Sequence, residues 1–196
     1  MDFLIATHNM GKRDELQRIL LPLGINVLVA EEAGISLTEA EETGATFEEN
    51  AMIKALSALN DSNMPCIADD SGLEVDALGG RPGIYTARYG GEELSYPDKI
   101  KKLVGEMKDI PDEKRTARFV SAIACVFPDG RSLTVRGECE GKIGFVPYGN
   151  GGFGFDPIFY YNGKSFAELS AQDKDAVSHR GNSLRKLCEA LPNYLK

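Results

Sequence analysis

The sequence predicts an α/β protein in which a mixed β-sheet is flanked by helices. Three observations carry that expectation. Short apolar runs alternate with stripes at helical spacing in the first third of the chain. Two arms rich in β-branched and apolar residues, 116–127 and 131–140, flank Pro128-Asp129-Gly130. The chain closes on a further helical stripe. At 196 residues it fits one large domain, or two lobes sharing a core. No internal repeat or low-complexity linker divides it, so 1–196 reads as a single domain.

Phe3, Leu4, Ile5 and Ala6 read as a strand that ends in the polar turn Thr7-His8-Asn9-Met10-Gly11-Lys12. Leu16, Ile19, Leu20 and Leu23 recur at helical spacing, Gly24 closes that helix, and residues 25–30 read as a second strand, a βαβ-like opening. The acidic, glycine-punctuated stretch 31–45 leads to Thr46-Phe47-Glu48-Glu49, where Thr46 and Glu49 have capping-box spacing. The helix starting there is expected to bury Met52, Ala55, Leu56 and Leu59, with Asn50 and Lys54, four apart, on another face. Residues 65–68 predict a short buried strand running into an acidic loop, Asp69-Asp70-Ser71-Gly72. A glycine-rich loop over 79–91 holds Arg81, Pro82 and Arg88 and precedes a mostly polar helix over 96–104. Beyond the hairpin come the glycine-dense loop 149–157, a brief strand over 157–160 and a last helix marked by Leu184, Leu187, Cys188 and Leu191.

Composition narrows function. With 42% hydrophobic and 27% charged residues the chain is an ordinary globular one. A net charge of −8 and a pI near 4.9 argue against a broad basic surface for nucleic acid or anionic membrane, yet a few lysines focused in a cleft still suit a small polyanion. The acidic residue at position 2 and the four-residue apolar run do not make a secretory signal, and no stretch has the length of a membrane span. Cys66, Cys125, Cys139 and Cys188 form no CxxC pair and are read as core thiols of a reducing cytosol, which makes a cytoplasmic location the expectation.

Several segments hold chemistry. Thr7, Asn9 and Lys12 stand just ahead of a helix, where free N–H groups and the helix dipole favour an anion, although the spacing is not that of a P-loop and a plain capping turn fits equally. Glu42, Asp69 and Asp70 offer the hard oxygen ligands that Mg²⁺ takes, one or two at a time, with waters and substrate phosphates. Adjacent Asp69 and Asp70 cannot point the same way on an extended chain, and alone the tetrapeptide fits an ordinary turn better than a site. Lys12, Lys54, Lys174 and Arg180 can meet phosphates, though each alone reads as a surface charge. His179, one of two histidines, suits a purine edge, a proton carrier or a helix cap. Phe153-Gly154-Phe155-Asp156 offers walls for a purine, or a tight turn with core phenylalanines.

Together these blocks resemble the inosine triphosphatase family, the diphosphatases of non-standard purine nucleoside triphosphates. The likeness covers almost the whole chain: Thr7 to Lys12; Glu41-Glu42-Thr43-Gly44 with Thr46-Phe47-Glu48-Glu49-Asn50-Ala51; Ala68-Asp69-Asp70-Ser71-Gly72-Leu73; Gly79-Gly80-Arg81-Pro82-Gly83-Ile84-Tyr85-Thr86-Ala87-Arg88-Tyr89; Gly154-Phe155-Asp156-Pro157-Ile158-Phe159; and Ser178-His179-Arg180-Gly181. The resemblance implies an elongated two-lobed fold with a central nucleotide cleft, a homodimer, and hydrolysis of XTP, ITP and dITP to the monophosphate and pyrophosphate. It also implies site roles. Thr7, His8, Asn9, Met10, Gly11 and Lys12 would hold the triphosphate with Lys54, and Glu42 with Asp70 would place Mg²⁺. Asp70 would also accept a proton, Ser71 would touch substrate, and Phe153, Gly154, Phe155, Asp156, Lys174, His179 and Arg180 would surround the base. His8 departs from the small residue expected in that turn. Two rival readings stay distinct: a nucleotide sensor without turnover, and a phosphatase that releases inorganic phosphate.

Overall fold

The computed structural model describes residues 2–7 and 9–195; the predicted phosphate-loop residue His8 and the side chain of Leu23 lie outside the described residues. In chain order the main elements are β1 (Asp2–Ile5), α1 (Met10–Leu20), β2 (Asn26–Val29), α2 (Phe47–Ser62), β3 (Cys66–Val75), α3 (Tyr96–Glu106), β4 (Thr116–Val126), β5 (Ser132–Ile143), β6 (Phe159–Tyr161), β7 (Lys164–Ser165), α4 (Ala171–Val177) and α5 (His179–Ala190). The strands form one mixed sheet in the order β2-β1-β3-β4-β5-β6-β7. β1 runs parallel to β2, with Phe3 opposite Val27, and parallel to β3, with Leu4 opposite Cys66; β6 is antiparallel to both β5 and β7. The opening is therefore the expected βαβ unit, in which parallel neighbours need a helical crossover.

Three local expectations are corrected. Asp69-Asp70-Ser71-Gly72 is not a loop: it lies within the ten-residue β3, which has β1 and β4 as its neighbours in the sheet. The buried face of α2 is Phe47, Asn50, Ala51, Ala55 and Ala58, whereas Leu56 is 44% exposed. The strand expected over 157–160 begins only at Phe159, after a 3₁₀ turn over Asp156–Ile158 that follows the φ constraint of Pro157, and α4 was not foreseen because its seven residues carry no apolar period.

The chain divides into two compact units. Unit 1 comprises Met1–Asp70, Ser121–Gly137 and His179–Lys196; unit 2 comprises Ser71–Val120 and Glu138–Ser178. The unit 1 core joins Phe3, Ile5, Leu16, Leu20, Ile67, Ile123, Phe127, Leu184 and Leu187, each buried at about 1.5–3 kcal/mol of hydrophobic stabilisation. Gly137 on β5 lets α5 lie directly on the strand, since a Cβ there would stand 2.2 Å from the backbone N of Ser183. In the unit 2 core Phe119 packs on Phe159 with centroids 4.5 Å apart and on Phe166 at 5.8 Å. Arg115 is wholly buried there, and its guanidinium donates to the carbonyls of Ile143 (2.8 Å), Met107 (2.7 Å), Ile110 (3.3 Å) and Gly144 (2.9 Å), fastening the end of β5 to the turn after α3. All four cysteines are free thiols, three of them buried, and burial pushes Cys125 up to about 12. Among the described residues no helix is long and apolar enough to cross a membrane.

Candidate functional site

In unit 1 the site begins at the N-terminus of α1. Asn9 has extended backbone angles, and its side-chain oxygen accepts from Lys12 N at 3.1 Å, which makes it the N-cap. Thr7 Oγ1 accepts from Asn9 N at 3.1 Å, so the turn is braced on both sides. Met10 is exposed and Gly11 half-buried beside it. The ammonium of Lys12 extends to Asp69 on β3, 2.8 Å from Oδ2.

Asp69 and Asp70 project to opposite sides of β3, as alternation along a strand requires. Asp69 is saturated. Its carboxylate accepts from Lys12, from Ser121 Oγ on β4 at 2.6 Å, and from Arg180 Nε and Nη2 on α5, both at 3.3 Å. Ser121 is in turn 2.8 Å from the Ser183 hydroxyl, and Arg180 also pairs with Glu15 on α1. Burial alone would push the Asp69 carboxyl up, but Arg180 and then Lys12 overcome it and hold the group well below the usual carboxylate range. Burial lowers Lys12 despite Asp69, whereas Arg180, buried too, is held upward by Asp69 and Glu15.

Asp70 is served differently. Lys54, on α2, donates to Asp70 Oδ1 at 2.7 Å and to Glu42 Oε1 at 3.0 Å, so one ammonium is shared by two carboxylates. Asp70 Oδ2 is buried and has no hydrogen-bond partner among the described residues. Burial outweighs the shared lysine and raises the Asp70 carboxyl from its ordinary value. Lys54 is held protonated above its ordinary value, because Asp70 and Glu42 more than offset its own burial. A buried acceptor oxygen left unmet, beside a second carboxylate, fits a hard divalent cation completed by waters and substrate oxygens. No group of three or more metal-type side chains occurs among the described residues.

The predicted base-side residues fall in both units. In unit 2, Asp156 Oδ2 accepts from Phe153 N at 2.8 Å and from the buried Lys174 Nζ at 2.6 Å, and Lys174 stands 4.7 Å over the Phe153 ring. Gly152, at φ +68°, admits this closure; a Cβ there would lie 2.0 Å from Asp156 Oδ2. Gly154 is likewise left-handed, at φ +66°. Phe155 is a core ring, edge-on to Tyr96 at 5.7 Å and to Tyr89 at 6.2 Å, and 1% exposed. Ser71 follows Asp70 directly on β3 and is half-buried. His179 and Arg180 open α5 within unit 1, and both are buried. With 1% exposure and its guanidinium on Asp69 and Glu15, Arg180 orders carboxylates in this structure.

Sequence reading passed over Glu15, Ser121 and Ser183. Glu15 had a signal, since it stands three residues after Lys12 on the same helical face. Ser121 had a better one: it is a hydroxyl inside the otherwise apolar run 119–126.

This fold and site define an α/β protein with a cluster of buried, paired charges on both sides of β3. The chain belongs to the Ham1 family, whose sequence model matches residues 3–190, and this bears out the inosine triphosphatase resemblance. It is 47% identical over 190 residues to the dITP/XTP pyrophosphatase of Bacillus subtilis (strain 168), covering 96% of each chain. Against the dITP/XTP pyrophosphatase of Escherichia coli (strain K12) it is 45% identical over 194 residues, covering 97% of this chain and 98% of the other. Among solved structures, the Ham1 protein of Staphylococcus aureus matches with a TM-score of 0.86 at 39% identity, covering 99% of this chain and 100% of that one.

Proposed function

We propose that this chain hydrolyses non-standard purine nucleoside triphosphates (XTP, ITP and dITP) to the nucleoside monophosphate and pyrophosphate, clearing them from the nucleotide pool. Near-full-length identity to proteins named for dITP and XTP supports the substrate class. The observation that carries the chemistry is the convergence of Glu42 and Asp70 on Lys54 with Asp70 Oδ2 buried and unmet.

In this reading Glu42 and Asp70 hold Mg²⁺. Bound Mg²⁺ supplies charge neutralisation for the phosphate oxygens and acidifies a coordinated water. The protein does the rest. Thr7, Asn9, Met10, Gly11 and the first N–H groups of α1 receive phosphate oxygens, and Lys12 and Lys54 offset their charge, which lets water approach an otherwise anionic phosphorus. Asp70, already basic for a carboxylate, orients the attacking water and takes its proton as the bond from the α-phosphorus to the bridging oxygen breaks. Asp69 does not share this task, since its lone pairs are occupied by Lys12, Ser121 and Arg180. Hypoxanthine and xanthine present an acceptor oxygen at the 6-position where adenine presents a donor, so donors such as Lys174, His179 or backbone N–H groups favour them. Ser71, Phe153, Gly154 and Asp156 complete the substrate contacts implied by the family. The family likewise supports a single two-lobed domain, a homodimer and a cytoplasmic enzyme, with the oligomer checked by light scattering.

Turnover of XTP, ITP, dITP, ATP and GTP with Mg²⁺ tests the proposal. Pyrophosphate and monophosphate from the first three, with little from ATP and GTP, is the expected result. Inorganic phosphate as the first product would replace it with a phosphatase, and binding of ITP without turnover by folded protein would replace it with a sensor.

A further inference from the structure

Glu42 lies in a coil with no regular backbone pairing, between residue 30 and the start of α2, yet a metal ligand must be held to within fractions of an ångström. Its support is written on α2. The Asn50 side-chain oxygen accepts from Gly44 N at 2.8 Å, and the Glu49 carboxylate accepts from Ala45 N at 2.6 Å. Gly44 has no room for a side chain, since a Cβ there would stand 2.6 Å from Asn50 Oδ1 and 2.7 Å from Glu49 Cβ. Asn50 is wholly buried, and the Gly44 N–H fixes which amide atom faces the coil. The other, Nδ2, is buried without a partner among the described residues. An amide whose donor is unmet is a poor choice for filling a core, so the side chain is retained for its oxygen. One helical turn later on the same face stands Lys54, which grips the Glu42 carboxylate.

We infer that Asn50 is a positioning residue for the metal site: through Gly44 it fixes the backbone of Glu42, while Lys54 fixes the carboxylate. The inference rests on the proposal that Glu42 and Asp70 bind a divalent cation. Outer partners of metal ligands typically change affinity by about 10–100-fold when removed.

Mn²⁺ binding to the substrate-free protein, followed by electron paramagnetic resonance, reads this without relying on turnover. N50A is expected to weaken Mn²⁺ at least about tenfold. G44A wedges the same contact apart from the coil side and leaves Asn50 in place, so it should do likewise. The double variant should be no weaker than the worse single one, as two lesions of one contact are not additive. Circular dichroism identifies which variants are folded, and G44A stands alone if N50A is not. Wild-type affinity in either folded variant, or strict additivity in the double variant, overturns the inference while leaving the metal site intact. No Mn²⁺ binding by wild type removes the metal reading and the inference with it.

Discussion

Asp69 and Asp70 are neighbours on one strand, both buried, and opposite in condition. Asp69 receives a lysine, an arginine and a hydroxyl; Asp70 shares one lysine with Glu42 and keeps an oxygen unmet. Their carboxyl groups are displaced accordingly, the first well below its ordinary value and the second above it. Identity of residue type therefore says little here; the number of donors each carboxylate collects decides the direction in which its affinity for a proton moves.

The largest expected effect is on turnover. Asp70→Asn should lower kcat by about 10²–10⁴-fold, the range for a positioned acid–base group. Its thermal stability at pH 7 should stay level or rise. The sign follows from the raised carboxyl: the ionised form is disfavoured in the folded state, so neutralising it relieves a cost. A large drop in melting temperature would place Asp70 beside Asp69 as a structural charge. Asp69→Asn should show the reverse. Breaking a buried, multiply paired charge costs about 3–5 kcal/mol, to be measured by urea unfolding. Because the folded-state carboxyl lies below its ordinary 3.8, this deficit is full above that pH and closes as pH falls toward the depressed value. A deficit that persists unchanged into strong acid would mean that packing, not charge, is what Asp69 supplies.

A smaller effect belongs to Lys12. Lys12→Ala removes a cation at the helix N-terminus while Arg180 and Ser121 remain on Asp69, so KM for ITP should rise about tenfold, the weight of a charge-assisted hydrogen bond, with a lesser change in kcat. An unchanged KM would remove Lys12 from the phosphate contacts. The finest distinction is in pH. The acid limb of kcat should lie above the ordinary carboxylate value and move down as Mg²⁺ is raised, because a cation favours the ionised Asp70. A limb indifferent to Mg²⁺ would separate Asp70 from the metal.

Much of this was legible beforehand. Apolar runs and helical stripes gave the βαβ opening, the hairpin and α5, since burial writes a period into the sequence. Thr7 to Lys12, Glu42, Lys54 and Asp70 were named from motif blocks. What stayed hidden depends on partners far away in sequence. That Asp69 is saturated requires Ser121 and Arg180, 52 and 111 residues on. The strand character of Asp69-Asp70-Ser71-Gly72 was invisible because four turn-forming residues in a row outweigh local propensity until neighbouring strands supply pairing. Arg180, expected beside the base, pairs with the two carboxylates of Asp69 and Glu15, and nothing local announces Glu15 as one of them.

Arg115 shows a fastening of another kind. Its four acceptors are carbonyl oxygens, which neither gain nor lose protons across the accessible range, and its own guanidinium stays charged throughout. The clamp it forms in unit 2 is therefore blind to acid, whereas the Asp69 cluster in unit 1 loses its anion once that carboxylate titrates. Acidification to well below the ordinary carboxylate value should therefore reach the Asp69 cluster of unit 1 before it reaches this clamp, so strong acid loosens one polar centre and spares the other.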